Sequence, residues 1–193
     1  MRPASGRAEP AVFLDRSDAG RKLAHELKLT SPADPTVVAL PRGGVPVAAE
    51  VALHLGAPLD VLVVRKIGCP WQPELGVGAV AEGGIRVLNR PLLASLGLTP
   101  AAIEPVAQRE SAEVERRVQR YRATRLAVPV RGKTAILVDA GIATGFTERA
   151  GIEVLRRLGA SGVLLATPVA AAETASPDRA LNPTRRRRRQ RSI

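Results

Sequence analysis

The chain is poor in the residues that would mark several function classes. It has one cysteine, Cys69, so no internal disulfide can form. Cys69 is read as an incidental loop thiol. The two histidines, His25 and His54, have neither a partner nor metal-ligand spacing, and no catalytic role falls to any of the three. Aromatic residues make up 2% of the chain, with one Trp, one Tyr and two Phe. A core without rings must be built from small aliphatic side chains, which favours an α/β sandwich. No stretch is long and apolar enough to span a membrane, and the opening residues MRPASGRAEP lack an apolar h-region, so neither a membrane contact nor a secretory signal is expected. A cytoplasmic location is the corresponding expectation.

What is present is a hydrophobic fraction of 45% in 193 residues, enough for one compact domain with a sizeable core. A helix is predicted from about Ser17 to Leu29, capped by Asp15 or Ser17, with Leu23, Ala24 and Leu27 on one face. Apolar runs predict buried strands at Thr36–Leu40, Asp60–Arg65, Thr134–Val138 and Gly162–Ala166. Gly76–Ala81 and Gly84–Asn89 read as a hairpin joined by Glu82 and Gly83. Thr99 as N-cap and Pro100 at the first helical position open a long helix to about Arg122. Val114, Val118 and Tyr121 form its apolar stripe, and Glu110, Glu113, Glu115, Arg116, Arg117 and Arg120 a mixed-charge face read as solvated. A further helix is expected from Glu148 to Leu158. Strands alternating with helices predict a parallel sheet with right-handed crossovers.

The most informative stretch is TAILVDAGIATGFT, Thr134 to Thr147. A buried strand ends in an acid, Asp139. Small and hydroxylated residues follow (Gly141, Ala143, Thr144, Gly145 and Thr147), whose amides and hydroxyls can approach an anion closely where the next helix begins. This order sets a carboxylate beside a bound phosphate, which suits a ligand carrying both sugar hydroxyls and a phosphomonoester.

The stretch resembles the signature of type I phosphoribosyltransferases. There a hydrophobic strand leads into two adjacent acids and a Gly/Thr-rich loop that holds the 5-phosphate of phosphoribosyl pyrophosphate (PRPP). Asp139 stands at the first acid, Ala140 at the second, and Phe146 at a loop position usually held by a small residue. The resemblance implies 5-phosphate binding by Ala143, Thr144, Gly145, Phe146 and Thr147, and ribose binding at Asp139 and Ala140, with one of two hydroxyl ligands lost at Ala140.

Thr36–Leu40 is followed by Pro41, Arg42, Gly43, Gly44, Val45 and Pro46 and then an apolar helical run, so the same strand, turn and helix construction occurs twice. In the family this first turn is the pyrophosphate loop, and LPRGGVPVAAEVA looks like that of a subgroup of bacterial phosphoribosyltransferases of undefined acceptor. Arg42 supplies a cation, while Gly43 and Gly44 let backbone N–H groups face a diphosphate. In a third piece, Asp60 to Gly84, Arg65 and Lys66 fall at the carboxyl end of a buried strand, the edge where open parallel sheets bind ligands. The turn-rich segment after Gly68 resembles the family's mobile catalytic loop and short hairpin. Trp71, between prolines, is placed either on an acceptor ring or over a small apolar patch.

The fold so implied is α/β, a Rossmann-like parallel sheet flanked by helices with a small hairpin and helix insertion. It divides into a flexible arm at 1–12, a phosphoribosyltransferase-like domain at 13–172 and a basic tail at 173–193, expected to be disordered. From Glu173 onward seven arginines face two acids, a local charge of +5 within a formal net charge of +11. Such a run binds nucleic acid weakly and nonspecifically, and a truncated or frame-shifted reading of a GC-rich gene gives the same composition. The chemistry implied is displacement at the anomeric carbon of PRPP, with Asp139, Arg42, Arg65 and Lys66 as the catalytic set and Mg²⁺ held mainly by PRPP and water. No protein metal ligand is assigned, and the acceptor and oligomeric state stay open, a homodimer being compatible. The alternatives are a weakly active or inactive regulator that binds PRPP or a phosphoribosyl nucleotide, favoured by Ala140, and a nucleic-acid binder working through the tail.

Overall fold

The computed structural model describes residues 13–30, 32–123, 126–142 and 145–169, the side chain of Phe146 excepted. The expected arm and tail lie outside the described residues.

Four strands form a parallel sheet in the order β2-β1-β6-β7: β1 (Pro35–Ala39), β2 (Leu59–Val61), β6 (Thr134–Val138) and β7 (Gly162–Ala166). Alternation along these strands divides the core. Val37 and Ala39 of β1, with Ile136 and Val138 of β6, pack under α1 (Arg16–Leu29) and α2 (Gly44–Leu55). Val38 and Leu40, with Ala135 and Leu137, face Ile152, Val154 and Leu155 of α5 (Phe146–Arg157) on the opposite side. Period-two side chains thus bury both faces of the sheet, as apolar runs with no polar alternation require.

The chain leaves β1 toward one edge, at β2, and returns on its other side, at β6. The connections after β1 and β6 enter helices on opposite faces, so a crevice opens between the carboxyl ends of these strands. Open α/β sheets bind ligands at such a switch point.

A second, antiparallel sheet of order β3-β4-β5 consists of β3 (Val64–Cys69), β4 (Gln72–Ala81) and β5 (Ile85–Leu88). Its apolar side, Ile67, Val77 and Val80, packs on α3 (Arg90–Ser95) and on Ile103, Ala107 and Val114 of α4 (Pro100–Arg122). Asp15 caps α1 by accepting from the Asp18 amide, and Thr99 caps α4 by accepting from Ala102.

Three expectations need correction. The single strand Asp60–Arg65 is two strands: Leu62 packs in the α5 core and Val63 in the α4 core, so the chain passes from one sheet to the other there. The segment after Gly68 is no open loop, because β4 begins at Gln72 and pairs Cys69 with Gln72 around a tip at Pro70 and Trp71. An irregular register lets Gly68 sit so close to Pro73 that a Cβ would lie 2.4 Å from its carbonyl oxygen. Cys69 is accordingly a buried strand residue, and α3 is an element the sequence reading did not anticipate.

Candidate functional site

The site is built where the two turns meet. Gly44 opens α2 directly against the end of β6: a Cβ there would stand 2.5 Å from the Val138 carbonyl oxygen and 3.1 Å from the Asp139 Cα. Only glycine fits. A Cβ on Gly43 would approach the Ala140 Cβ to 3.2 Å. The PRGG turn and the strand-acid turn are therefore in contact, a register held by the Leu40 amide, which donates to the Val138 carbonyl at 2.9 Å. The Pro41–Arg42 peptide bond is cis. Arg42 is exposed, and no acid pairs with it among the described residues.

Asp139 is oriented from its backbone outward. Its amide donates to the Ala166 carbonyl of β7 at 3.2 Å, and its Oδ1 accepts from the Ala140 amide at 2.6 Å. The chain then crosses to Gly145, whose φ of +70° is the left-handed conformation that glycine adopts freely, and α5 begins at Phe146, two residues before the expected Glu148. Among the described residues no side chain caps this helix. Of the phosphate loop, Ala143, Thr144 and the Phe146 side chain lie outside the described residues, while Gly145 and Thr147 stand at the helix start. Ala140 lines a cavity of about 390 Å³ together with Phe13, Arg16, Val47, Pro168 and Val169.

Arg65 and Lys66 are placed differently from the expectation. They belong to β3 of the antiparallel sheet, and the end of the parallel strand is Val61. Arg65 donates to Glu110 of α4 at 2.8 Å, so Glu110 is part of a packed contact and not of the solvated face assigned to it. Lys66 donates to the Glu74 carbonyl at 2.9 Å and to its carboxylate at 3.2 Å. Among the described residues no hydrogen bond or ion pair joins either cation to Asp139. Trp71 is 63% exposed at the hairpin tip, which removes the patch-covering role.

Two residues that sequence reasoning passed over are prominent. Glu148, in the first turn of α5, is 4% exposed. Burial first, and then the nearby Asp139, push its carboxyl up to about 7 against the downward pull of its own amide. A signal was available: Glu148, Ile152 and Leu155 recur at helical spacing, which sets an acid on the buried stripe. Arg122, the last residue of α4, lies between Asp60 and Glu82.

The first turn, the acid and the helix start all lie at the crevice mouth, and the sequence of this region matches known proteins. The profile of the phosphoribosyl transferase domain matches residues 14–184. The chain belongs to this family. It is 50% identical over 158 residues to a Mycobacterium tuberculosis H37Rv protein named as a putative phosphoribosyl transferase, a match covering 82% of this chain and 36% of the relative. The chain thus spans about a third of the length of the curated relatives it matches. Among solved structures, the protein TT1426 from Thermus thermophilus superposes with a TM-score of 0.78 at 41% identity, covering 85% of this chain and 78% of that one. The parallel sheet flanked by helices is an α/β fold in keeping with this family.

Proposed function

We propose that this domain binds PRPP across the crevice between β1 and β6 and transfers its phosphoribosyl group to a nucleophilic acceptor. The observation that carries the reading is the contact of the PRGG turn with the Asp139 turn at the switch point of the sheet. In this reading Arg42 and the amides of Gly43 and Gly44 hold the diphosphate. Asp139 accepts from ribose hydroxyls, and the loop from Ala143 to Thr147 receives the 5-phosphate at the start of α5.

The bond from the anomeric carbon to the diphosphate oxygen breaks, and its electron pair leaves with the diphosphate. An acceptor lone pair forms the new bond to the same carbon, and the acceptor's proton passes to solvent. Charge builds on the ring through an oxocarbenium-like state. Arg42 is the residue of this chain placed to offset the leaving group's charge. Among the described residues no cluster of three His, Cys, Asp or Glu side chains exists to hold a resident metal. Divalent metal, Mg²⁺ in the usual case, is proposed to enter on the diphosphate oxygens and neutralise their charge.

Calorimetry with PRPP, with and without Mg²⁺, tests the reading. Asp139→Asn is expected to weaken binding at least about tenfold, as is the double replacement of Thr144 and Thr147 by Ala, since each contact to a charged group contributes roughly 1.5 to 3 kcal/mol. Unchanged affinity in both would remove the proposed function. Binding without transfer to any acceptor would instead favour a PRPP-binding regulator, the reading to which Ala140 lends support.

A further inference from the structure

A cavity of about 390 Å³ adjoins the crevice, and none of the side chains proposed to hold PRPP lines it. Val47 of α2, Ala140 and Val169 give it apolar walls, and Phe13 adds a ring. These walls are tied down. The Val169 carbonyl accepts from the Ile142 amide at 2.9 Å and from the Thr167 hydroxyl at 2.8 Å, which joins the chain after β7 to the turn after Asp139. The Lys22 ammonium stands 5.3 Å from the centroid of the Phe13 ring, within cation–π reach.

Asp15 and Arg16 also line the cavity, and of these two charges Arg16 alone is uncommitted. Asp15 caps α1, its Oδ1 accepting from the Asp18 amide at 2.7 Å, and Asp18 in turn pairs with Lys22 at 2.9 Å. Arg16 is exposed and has no ion pair or side-chain hydrogen bond among the described residues. An apolar cavity with one held ring and one uncommitted guanidinium fits a planar ring that carries a carboxylate. The ring packs on Phe13, and the guanidinium takes the carboxylate on two parallel N–H donors. Ala140 bears on the sign of the charge: an acid there would set a negative group on the wall and oppose what Arg16 attracts.

We infer that this cavity is the acceptor side of the proposed reaction, that its ligand is a planar heteroaromatic carboxylate, and that Arg16, Phe13 and Ala140 select it. This rests on the reading of the crevice as a PRPP site. Ala140 directly follows Asp139, so a ligand in the cavity lies next to the residue proposed to hold the ribose. A ring nitrogen of the acceptor supplies the lone pair that forms the bond to the anomeric carbon. The diphosphate leaves with the electron pair of the broken bond, and the proton of that nitrogen passes to solvent. Arg16 decides which acceptor enters and touches none of the reacting atoms.

Methyl NMR of the full chain, titrated with benzoate and with benzamide, tests the inference. The two probes share size and planarity and differ in charge. Shifts are expected at the Ala140, Val47 and Val169 methyls, with benzoate at least about fivefold the tighter. Arg16→Gln should bring the two probes to within about twofold by weakening benzoate alone, whereas Phe13→Leu should weaken both. Ala140→Asp should weaken benzoate more than benzamide, by about fivefold or more. Arg16 is exposed, so its replacement leaves the core intact and the test does not depend on whether Phe13→Leu folds. Equal affinities in the wild type, a ratio unmoved by Arg16→Gln, or no saturable shift at these methyls overturns the inference.

The same titration in the presence of PRPP and Mg²⁺ separates this result from failure of the PRPP reading. An acceptor and PRPP occupy their site together, so saturating PRPP should leave benzoate bound at least as tightly as in the unliganded protein. Should benzoate show the charge preference while PRPP does not bind, the PRPP reading falls and the acceptor role falls with it. Should PRPP bind and expel benzoate, the cavity belongs to the PRPP site, and the inference is overturned while the PRPP reading holds.

Discussion

Two acidic pairs lie wholly or partly buried in this domain, and they are treated in opposite ways. Asp60 and Glu82 flank Arg122, whose guanidinium donates to Asp60 at 3.1 Å twice, to Glu82 at 2.7 and 2.9 Å, and to the Val61 carbonyl at 2.7 Å. The Val128 amide adds a bond to Asp60 at 2.8 Å. Burial by itself would lower the Arg122 guanidinium, but Glu82 and Asp60 outweigh it and hold it above its ordinary value. Neither Asp139 nor Glu148 has an ion pair with a cation among the described residues, and burial, with Asp139 nearby, holds the Glu148 carboxyl above its ordinary value. The first pair is complete, tying the end of α4 to the edge strand β2 and to the turn before β5. The second is incomplete in charge and hydrogen bonds, which is the condition for a group that must still accept a ligand.

The largest effect should come from breaking the complete pair. Arg122→Leu leaves Asp60 and Glu82 buried without their partner, and removing one member of such a set costs about 3 to 5 kcal/mol. Urea unfolding is the measurement. PRPP affinity of the folded protein should be unaltered, since Arg122 makes no contact with the Asp139 turn. A loss under about 1 kcal/mol would mean that water reaches these acids and that the two pairs differ less than their geometry implies.

A smaller effect of opposite sign is expected from the incomplete pair. Glu148 is raised on folding, so the folded state binds more protons than the unfolded state between the ordinary glutamate value and about 7. Wild-type stability should therefore fall as pH rises through that window, and the loss should be fully present above it. Glu148→Gln removes the titration. It should leave stability near that of wild type at pH 5 and raise it at pH 8 by on the order of 1 to 3 kcal/mol. Thermal unfolding at the two pH values checks the sign. A variant less stable than wild type at pH 8 would show that the ionised carboxyl is stabilised by a partner.

How much of this contrast was legible in the sequence depends on what each signal encodes. The strands β1 and β6 are short aliphatic runs with both faces buried, β7 is a partly buried run at the sheet edge, and periodicity reports burial directly. The turn at Glu82 and Gly83, the Thr99–Pro100 start of α4 and the Gly43–Gly44 turn follow from local backbone chemistry, so they too were readable. The division of Asp60–Arg65 was not, because Leu62 and Val63 are equally buried and apolar although they enter different cores. Arg122 belongs to a charge-rich helix whose face looks solvated, and its two partners are 62 and 40 residues away in sequence. Glu148 was masked by the glycine-rich loop before it: an acid in a first helical turn passes for a dipole partner unless its place on the apolar stripe is noticed.

The smallest effect concerns the cations that sequence reasoning put at the crevice. Lys66 is 35% exposed and its partner Glu74 is 96% exposed, so the pair is screened and contributes little. Lys66→Ala should change unfolding stability by less than about 0.5 kcal/mol. PRPP affinity should move by less than about threefold if Lys66 belongs only to the hairpin, because its ammonium is engaged with Glu74 and not with the Asp139 turn. Lys66 would then be a third kind of charge, neither locked in the core nor poised at the site. A tenfold or greater loss of affinity with stability unchanged would have one physical explanation. The β3–β4 hairpin would then fold over the bound diphosphate, and Lys66 would exchange the exposed Glu74 for the ligand's greater negative charge.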